Sequence, residues 1–199
     1  MLKRGFDIFF SASVLLTFAP VLLVVALWVK LDSAGPVFFR QRRVGLRGRE
    51  FLIYKFRTMA TDAESRGPQI TAGADARITR AGVVLRKYKI DELAQFINVL
   101  IGDMSVVGPR PEVPQYVALY PSAAREIVLS VRPGITDRAS IEFKDESDIL
   151  GKAPDPHLAY VREVLPIKLD YYTAYVRRQS FLEDLKIILA TVVAVLHSR

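Results

Sequence analysis

Two adjacent acids, Asp91 and Glu92, stand out in a 199-residue chain of net charge +7. Basic residues precede them and a glycine- and proline-bounded segment, 102–112, follows. The residues with helical apolar spacing are Ile90, Leu93, Ile97, Leu100 and Ile101. This spacing predicts an amphipathic helix with both acids in its first turn and with Asp91, Gln95 and Asn98 on its polar face.

The acidic pair has two interpretations. Acids in a first turn complement the helix dipole and cap free N–H groups. Carboxylates between cations and a constrained loop could instead hold a divalent metal and approach an anionic phosphate. Residue chemistry alone leaves both open.

The rest of the composition limits the possible chemistry. The chain has no cysteine, so disulfides and thiolate metal sites are excluded. His157 and His197 are the only histidines, which gives a zinc site or a Ser-His-Asp triad little to draw on. Catalysis is therefore expected to use carboxylates, cations and an added metal.

Apolar residues are concentrated near the N-terminus. Mean hydropathy is +0.21 although 25% of residues are charged, and residues 8–29 carry no charge. At about 1.5 Å per residue, a helix here could cross a hydrocarbon core of roughly 30 Å. A signal peptide is disfavoured because the apolar stretch is long and no small-x-small cleavage site follows.

The flanks of this segment bear on its topology. Basic residues occur on both sides, which favours the cytoplasm for both ends. Pro20, just past the midpoint, can kink a helix. We therefore expect a re-entrant helical hairpin within residues 1–33 rather than a single span.

Residues 34–199 form the second predicted unit, a domain with one modest core. Residues 37–43 and 50–57 predict a β-hairpin, and residues 61–75 a loop. Helices are predicted at 113–130, 156–164, 166–178 and from a capping box at Ser180 through Leu196. The last helix could pack on the core or lie in the membrane interface. The fold class is α+β, mostly helical with a small antiparallel sheet.

The hairpin is rich in arginine and could bind nucleic acid, lipid head groups or a diphosphate. The upstream membrane segment and the aromatic residues Phe38 and Phe39 favour lipid, and no nucleic-acid partner is expected. The basic residues concerned are Arg40, Arg42, Arg43, Arg47 and Arg49.

Nearly the whole chain resembles the bacterial sugar transferases, the monotopic phosphoglycosyl transferases. The similarity lies in several motifs that occur in register. They are Lys3-Arg4-xx-Asp7, Gly35-Pro36-Val37-Phe38-Phe39-Arg40-Gln41, Tyr54-Lys55-Phe56-Arg57-Thr58-Met59, Asp91-Glu92-Leu93, Asn98-Val99-Leu100, Gly102-Asp103-Met104-Ser105, Val107-Gly108-Pro109-Arg110-Pro111, Arg132-Pro133-Gly134-Ile135-Thr136 and Phe181-xx-Asp184-Leu185-Lys186-Ile187.

The resemblance implies transfer of a sugar 1-phosphate from a nucleoside diphosphate sugar, a UDP-sugar, to polyprenyl (undecaprenyl) phosphate, with release of UMP. It places the protein monotopically in the bacterial inner membrane, at the cytoplasmic face, as the first membrane step of glycan assembly. It assigns Asp91 as the nucleophile that forms an aspartyl phosphosugar. It assigns Glu92, with Asp91, to Mg²⁺.

The resemblance also implies substrate contacts. Arg86 and Arg110 would bind phosphate or nucleotide, with Pro109 and Pro111 fixing the backbone of Arg110. On residue chemistry alone, either arginine could equally be a surface ion pair. Further candidates are Lys55, Arg57 and Lys144, the last standing in for a family arginine in the divergent segment 137–145.

Two other functions remain open. A Mg²⁺-dependent diphosphatase would use the same acids and cations. A non-catalytic membrane adaptor would explain the apolar segment and the basic surface but not the acids beside two arginines. The sequence specifies neither the sugar nor an oligomeric state.

Overall fold

The structure, a computed structural model, describes residues 2–63 and 75–197. Most of the predicted loop 61–75 lies outside the described residues. The first element is α1 (Leu2–Asp32), a helix of 31 residues with Pro20 inside it. Because α1 is helical throughout, the structure does not confirm the predicted re-entrant hairpin. A proline removes one N–H from a helix, which the remaining hydrogen bonds of α1 tolerate.

The N-terminal end of α1 is attached to the rest of the protein. Lys3 forms an ion pair with buried Asp184 at 2.5 Å. Asp7, also buried, accepts hydrogen bonds from Ser105 Oγ at 2.8 Å and from Val106 N at 3.1 Å. These contacts bridge about a hundred residues or more of sequence and fix the first two turns of the helix.

The C-terminal end of α1 is attached to the same body, and apolar side chains along much of the helix are exposed. Val25 and Val29 pack in a cluster with Phe56, Leu85 and Ala94. The apolar side chains that remain exposed along α1 include Phe9, Leu16, Phe18, Val21, Leu23, Val24, Leu27, Trp28 and Leu31. The helix is long and apolar enough to cross a membrane, and this exposed surface indicates membrane association.

The predicted β-hairpin is confirmed. Strands β1 (Phe38–Val44) and β2 (Glu50–Phe56) are antiparallel, with Phe38 opposite Phe56 and Val44 opposite Glu50. A 3₁₀ turn, Leu46–Gly48, joins them.

The helix predicted to carry the acids is confirmed, but it begins differently. After α2 (Arg80–Lys87) the chain forms a 3₁₀ turn, Ile90–Ala94, and then α3 (Gln95–Ile101). The predicted polar face points inward, since Asp91, Gln95 and Asn98 are all buried. Leu100 and Ile101, on the predicted apolar face, are exposed.

A second, two-stranded sheet was not predicted. Strands β3 (Ser105–Val107) and β4 (Gly134–Thr136) are parallel. Gly134 allows this pairing to continue into the neighbouring loop, because a Cβ there would lie 2.1 Å from the nitrogen of Gly108.

Short helices complete the domain. The predicted helix 113–130 is two helices separated at Pro121, and a π-helical turn, Tyr160–Val164, separates two others. Their bounds are α4 (Pro114–Val117), α5 (Ser122–Val128), α6 (Arg138–Glu142), α7 (Glu146–Gly151), α8 (Pro156–Ala159), α9 (Leu165–Arg178) and α10 (Phe181–Leu196).

Helix α10 packs on the core, which is one of the two alternatives considered for it. Ser180 accepts a hydrogen bond from Glu183 N at 3.2 Å, as the capping box predicts. Ile187 is buried in the core, whereas Leu189, Val193 and Leu196 are exposed. One face of α10 therefore packs on the domain and the other is left apolar and uncovered.

Candidate active site

The backbone around the two acids is held tightly. Lys89, just before the 3₁₀ turn, has φ 55°, a left-handed conformation that is uncommon for lysine and that turns the chain between α2 and the acids. Asn98 fixes α3 to β2, because its Oδ1 accepts from Tyr54 N at 2.9 Å and its Nδ2 donates to Leu52 O at 2.8 Å. Lys55, the next residue of β2, is thereby placed beside Glu92.

Glu92 is the centre of an ion-pair cluster. Lys55 Nζ donates to its Oε1 at 2.9 Å, and Arg110 donates to both of its oxygens, with Nη1 3.1 Å from Oε2. Burial disfavours the charged form of Glu92, but Arg110 and Lys55 outweigh it and hold the pKa of Glu92 well below its usual range. In turn Glu92 raises the pKa of Arg110. The pKa shifts of Glu92 and Arg110 favour their charged forms, whereas burial lowers the pKa of Lys55 and the charge of Glu92 opposes that effect.

Asp91 is in a different state. It is 6% exposed, and its Oδ1 has no hydrogen-bond partner among the described residues. Burial raises the pKa of Asp91, and neighbouring Lys55 only partly opposes this. The two adjacent carboxyl groups are thus unlike: Glu92 is ion-paired with two cations, and Asp91 has an oxygen without a hydrogen-bond partner among the described residues.

The loop that carries Arg110 is fixed on both sides. Pro109 O accepts from Gly134 N at 2.9 Å, and Pro111 O accepts from Arg43 Nη1 at 2.9 Å. The expectation that the prolines constrain the backbone of Arg110 agrees with this geometry, since both carbonyls are also anchored.

A third cation, Arg86, lies near the acids. Its Nε donates to Thr58 Oγ1 at 3.1 Å. Burial lowers the pKa of Arg86, and the charge of Asp91 opposes that effect. Arg86 is thus within electrostatic range of Asp91, on the last turn of α2.

One open cavity of about 1150 Å³ joins these groups. A cavity of this size can hold a ligand as large as a nucleotide sugar. The predicted site residues at its wall include Lys55, Arg86, Asp91, Glu92, Arg110 and Lys144. The exposed Lys144 follows α6 and lies outside the ion-pair cluster.

Arg57 has a different environment from the one expected of a substrate ligand. It borders the cavity but is 3% exposed. Its guanidinium donates to the carbonyl oxygens of Val29, Ser33, Ala34 and Pro36 at 2.6–3.2 Å. A cation at a helix C-terminus satisfies the free carbonyls there. The structure therefore favours Arg57 as the residue that attaches α1 to the domain.

Sequence reasoning missed several polar residues of the cavity. Arg43, grouped with the lipid-facing arginines, instead lies 3.8 Å from buried Glu112. Tyr160 donates a hydrogen bond to Glu112, and Lys168 is buried against the Tyr160 ring. Glu112 directly follows Pro111, which was the available signal. The positions of Tyr160, in the π-helical turn, and of Lys168, in α9, depend on tertiary packing.

The donor set suits a divalent cation only in part. No group of three or more acidic or histidine side chains that could hold a metal occurs in residues 2–63 and 75–197. Both oxygens of Glu92 accept from cations, whereas Asp91 Oδ1 is uncommitted. Mg²⁺ commonly takes one or two carboxylates and completes its shell with water and substrate phosphate. These residues therefore do not form a complete metal site by themselves. They fit a cation whose remaining ligands come from a bound diphosphate and water.

Comparison with known proteins establishes the family. The family model described as bacterial sugar transferase matches residues 1–198, and the chain belongs to this family. The exopolysaccharide production protein PSS of Rhizobium leguminosarum bv. phaseoli is 43% identical over 98% of this chain and 94% of the relative.

Two longer relatives carry more specific names. One is the UDP-N-acetylgalactosamine-undecaprenyl-phosphate N-acetylgalactosaminephosphotransferase of Aeromonas hydrophila, which is 40% identical over 98% of this chain. The other is the UDP-glucose:undecaprenyl-phosphate glucose-1-phosphate transferase of Escherichia coli, 37% identical over 96% of this chain. The chain spans 44% and 39% of their lengths, respectively.

Proposed function

We propose that this protein transfers a sugar 1-phosphate from a UDP-sugar to undecaprenyl phosphate, giving undecaprenyl diphosphate sugar and UMP. The observation that carries the proposal is the pair of unlike carboxyl groups, one ion-paired with Lys55 and Arg110 and one with an uncommitted oxygen, in a single cavity. The names of the Aeromonas and Escherichia relatives describe this reaction for two different sugars.

In the proposed mechanism Asp91 is the nucleophile. An oxygen of its carboxylate attacks the sugar-bearing phosphorus, and the bond from that phosphorus to the bridging oxygen breaks as UMP leaves with the electron pair. The aspartyl phosphosugar is then attacked by an oxygen of undecaprenyl phosphate. The phosphorus–Asp91 bond breaks, and the carboxylate is regenerated.

The cations make this attack electrostatically feasible. A carboxylate and a diphosphate repel each other, so phosphate charge must be neutralised before the atoms approach. Arg110 contacts Glu92, Arg86 lies within electrostatic range of Asp91, and both line the cavity, so both are placed to bind the phosphates. Lys55 is held by Glu92 in the same cluster and can share this role.

Magnesium is part of the proposal. Bound Mg²⁺ would neutralise charge on the donor diphosphate and orient it. Asp91 and Glu92 are the carboxylates that would hold it. Glu92 Oε1 already accepts from Lys55 and Arg110, whereas Oε2 accepts only from Arg110 and keeps a lone pair that could serve the metal.

The cleanest test separates the half-reactions. Wild-type protein with a matching UDP-sugar and no acceptor should release at most one UMP per chain and gain one sugar-phosphate mass on a peptide containing Asp91. Asp91→Asn should do neither. Arg42→Lys, on the exposed hairpin, is the control that should behave as wild type.

Each alternative predicts another outcome. Continuous UMP release without acceptor would identify a diphosphatase. If no UMP is released from any UDP-sugar, with or without acceptor, the protein is better explained as a non-catalytic membrane adaptor. Acceptor-dependent transfer without an adduct, and with intersecting double-reciprocal lines, would mean direct transfer with Asp91 as a base or metal ligand.

We further propose that α1 enters the membrane and leaves it on the same side, the cytoplasmic face. The two ends of α1 contact the same domain, through Asp7 and Lys3 at one end and Arg57 at the other. A perpendicular span would separate these ends by the bilayer thickness and break one set of contacts. Basic flanks on both sides favour the cytoplasm for both ends.

Cysteine labelling tests this topology. Leu2→Cys reports the N-terminus and Arg49→Cys reports the domain, and both residues are exposed. In intact cells both should resist an impermeant thiol reagent and should react after permeabilisation. Labelling of Leu2→Cys alone in intact cells would show that α1 spans the membrane.

A further inference from the structure

The cavity extends beyond the phosphate-binding cations into a second polar region. Lys168, Glu146 and Ser147 lie at its wall, contributed by α9 and α7. Lys168 is 4% exposed, and its ammonium forms an ion pair with the more accessible Glu146. A lysine that lines a cavity can donate hydrogen bonds to a ligand bound there.

This region adjoins the phosphate site. Asp137, at the N-terminus of α6, lies within electrostatic range of both Arg110 and Lys168. Its own oxygens are engaged, because Ser140 N and Ser140 Oγ donate to them at 3.0 and 2.6 Å. Direct contacts also link the two regions, since Tyr160, whose ring centroid lies 5.0 Å from Lys168 Nζ, donates a hydrogen bond to Glu112, two residues beyond Arg110. Arg110, Glu112, Tyr160 and Lys168 line the same cavity, so a group bound beside Lys168 would share it with a phosphate on Arg110.

The surface here suits hydroxyl groups better than a flat base. The Tyr160 ring has Lys168 Nζ 5.0 Å from its centroid and the edge-on Tyr116 ring at 4.9 Å, so neighbouring side chains already surround it. Bases bind proteins largely by stacking on aromatic faces. A carboxylate, an ammonium and a serine hydroxyl instead provide the alternating acceptors and donors that bind the several hydroxyls of a hexose.

We propose that Lys168 and Glu146 bind the hexose of the donor and discriminate between sugars. The proposal rests on the proposed function, in which the hexose is joined directly to the phosphate on Arg110. Glu146 accepts from a sugar hydroxyl, and Lys168 holds Glu146 in place and donates to a neighbouring oxygen.

The test compares donors on the same variants. We would measure kcat/KM for UDP-glucose, UDP-galactose, UDP-N-acetylglucosamine and UDP-N-acetylgalactosamine, together with the inhibition constant of UDP, which lacks the sugar. Glu146→Gln and Lys168→Met should each change the ratio of kcat/KM between the best and the other donors by about tenfold or more, as loss of one charged hydrogen bond implies. The UDP inhibition constant should stay within about twofold, as should every value for the matched control Lys152→Met, an exposed lysine just after α7.

Each other result overturns the inference. An equal loss of kcat/KM for all donors would show that the two residues do not discriminate between sugars. If the UDP inhibition constant rose by the same factor, the residues would bind the nucleotide and not the hexose. If Lys168→Met does not fold, the result for Glu146→Gln tests the inference. The Glu146 side chain is 29% exposed and glutamine has nearly the same size and shape, so this variant should fold. A wild type that transfers from no UDP-sugar would refute the proposed function and this inference with it, whereas an active wild type with unchanged ratios would refute the inference alone.

Discussion

Replacing Arg57 with lysine distinguishes an attachment residue from a substrate ligand. The guanidinium makes five hydrogen bonds at 2.6–3.2 Å, four to backbone carbonyls and one to Ser33 Oγ. A lysine ammonium has three donors and no planar fork, so at least two of these contacts are lost. At about 1.5–3 kcal/mol for each charged hydrogen bond, unfolding should become easier by roughly 3–6 kcal/mol.

The assay is denaturant unfolding in detergent, followed by donor kinetics on the folded protein. Arg57→Lys should unfold at a clearly lower denaturant concentration, while its KM for the UDP-sugar stays within about twofold of wild type. Arg42→Lys is the matched control: its side chain is 77% exposed and 3.4 Å from Glu50, so it should shift stability by no more than about 0.5 kcal/mol. An unchanged unfolding midpoint with a KM raised tenfold or more would refute the attachment role and would show that Arg57 binds the substrate.

Three further predictions concern the acids. Asp91→Asn should raise the melting temperature at neutral pH in metal-free buffer, by about 2–4 °C for each kcal/mol, because burial raises the pKa of Asp91 and so disfavours its ionised form in the folded state. That gain should disappear at acid pH, where both folded and unfolded wild type are neutral at this position; a gain that persists there would contradict the assignment. Glu92→Gln should lower the melting temperature at neutral pH, since the pKa of Glu92 is depressed by Arg110 and Lys55 and its charge stabilises the fold, and an unchanged melting curve would refute this. EDTA should abolish turnover and added Mg²⁺ should restore it, whereas full activity in metal-free buffer would remove the metal from the mechanism.

Local patterns predicted the elements that carry the site. The β-hairpin, the helix after the acids and the capping box at Ser180 all depend on spacing within about ten residues. The placement of Lys55 and Arg110 in one cavity with the acids came from the family resemblance, because nothing in their spacing brings positions 55, 92 and 110 together.

Long-range packing accounts for what the sequence did not predict. The parallel pair β3 and β4 joins three-residue strands about thirty residues apart, too short to leave an alternating pattern. The inward polar face of α3 depends on Asn98 bonding to β2, which no periodicity encodes. An arginine is a common phosphate ligand, so the residue type of Arg57 suggested substrate binding. Only the tertiary structure shows that it contacts the C-terminal end of α1 instead.

The two interpretations of the acidic pair can now be weighed on geometry. A capping role needs the carboxylates to accept from the first N–H groups of the helix, but Glu92 accepts from Lys55 and Arg110, and Lys89 at the N-cap position makes no side-chain cap. Asp91 leaves a buried oxygen unbonded among the described residues, which opposes folding rather than stabilising it. Such a cost is typical of functional sites, where a group is held ready for a ligand that the free protein lacks. A phosphorus centre brought in by cations would use that oxygen, and the opposite melting-temperature shifts expected for Asp91→Asn and Glu92→Gln measure the same asymmetry without any substrate.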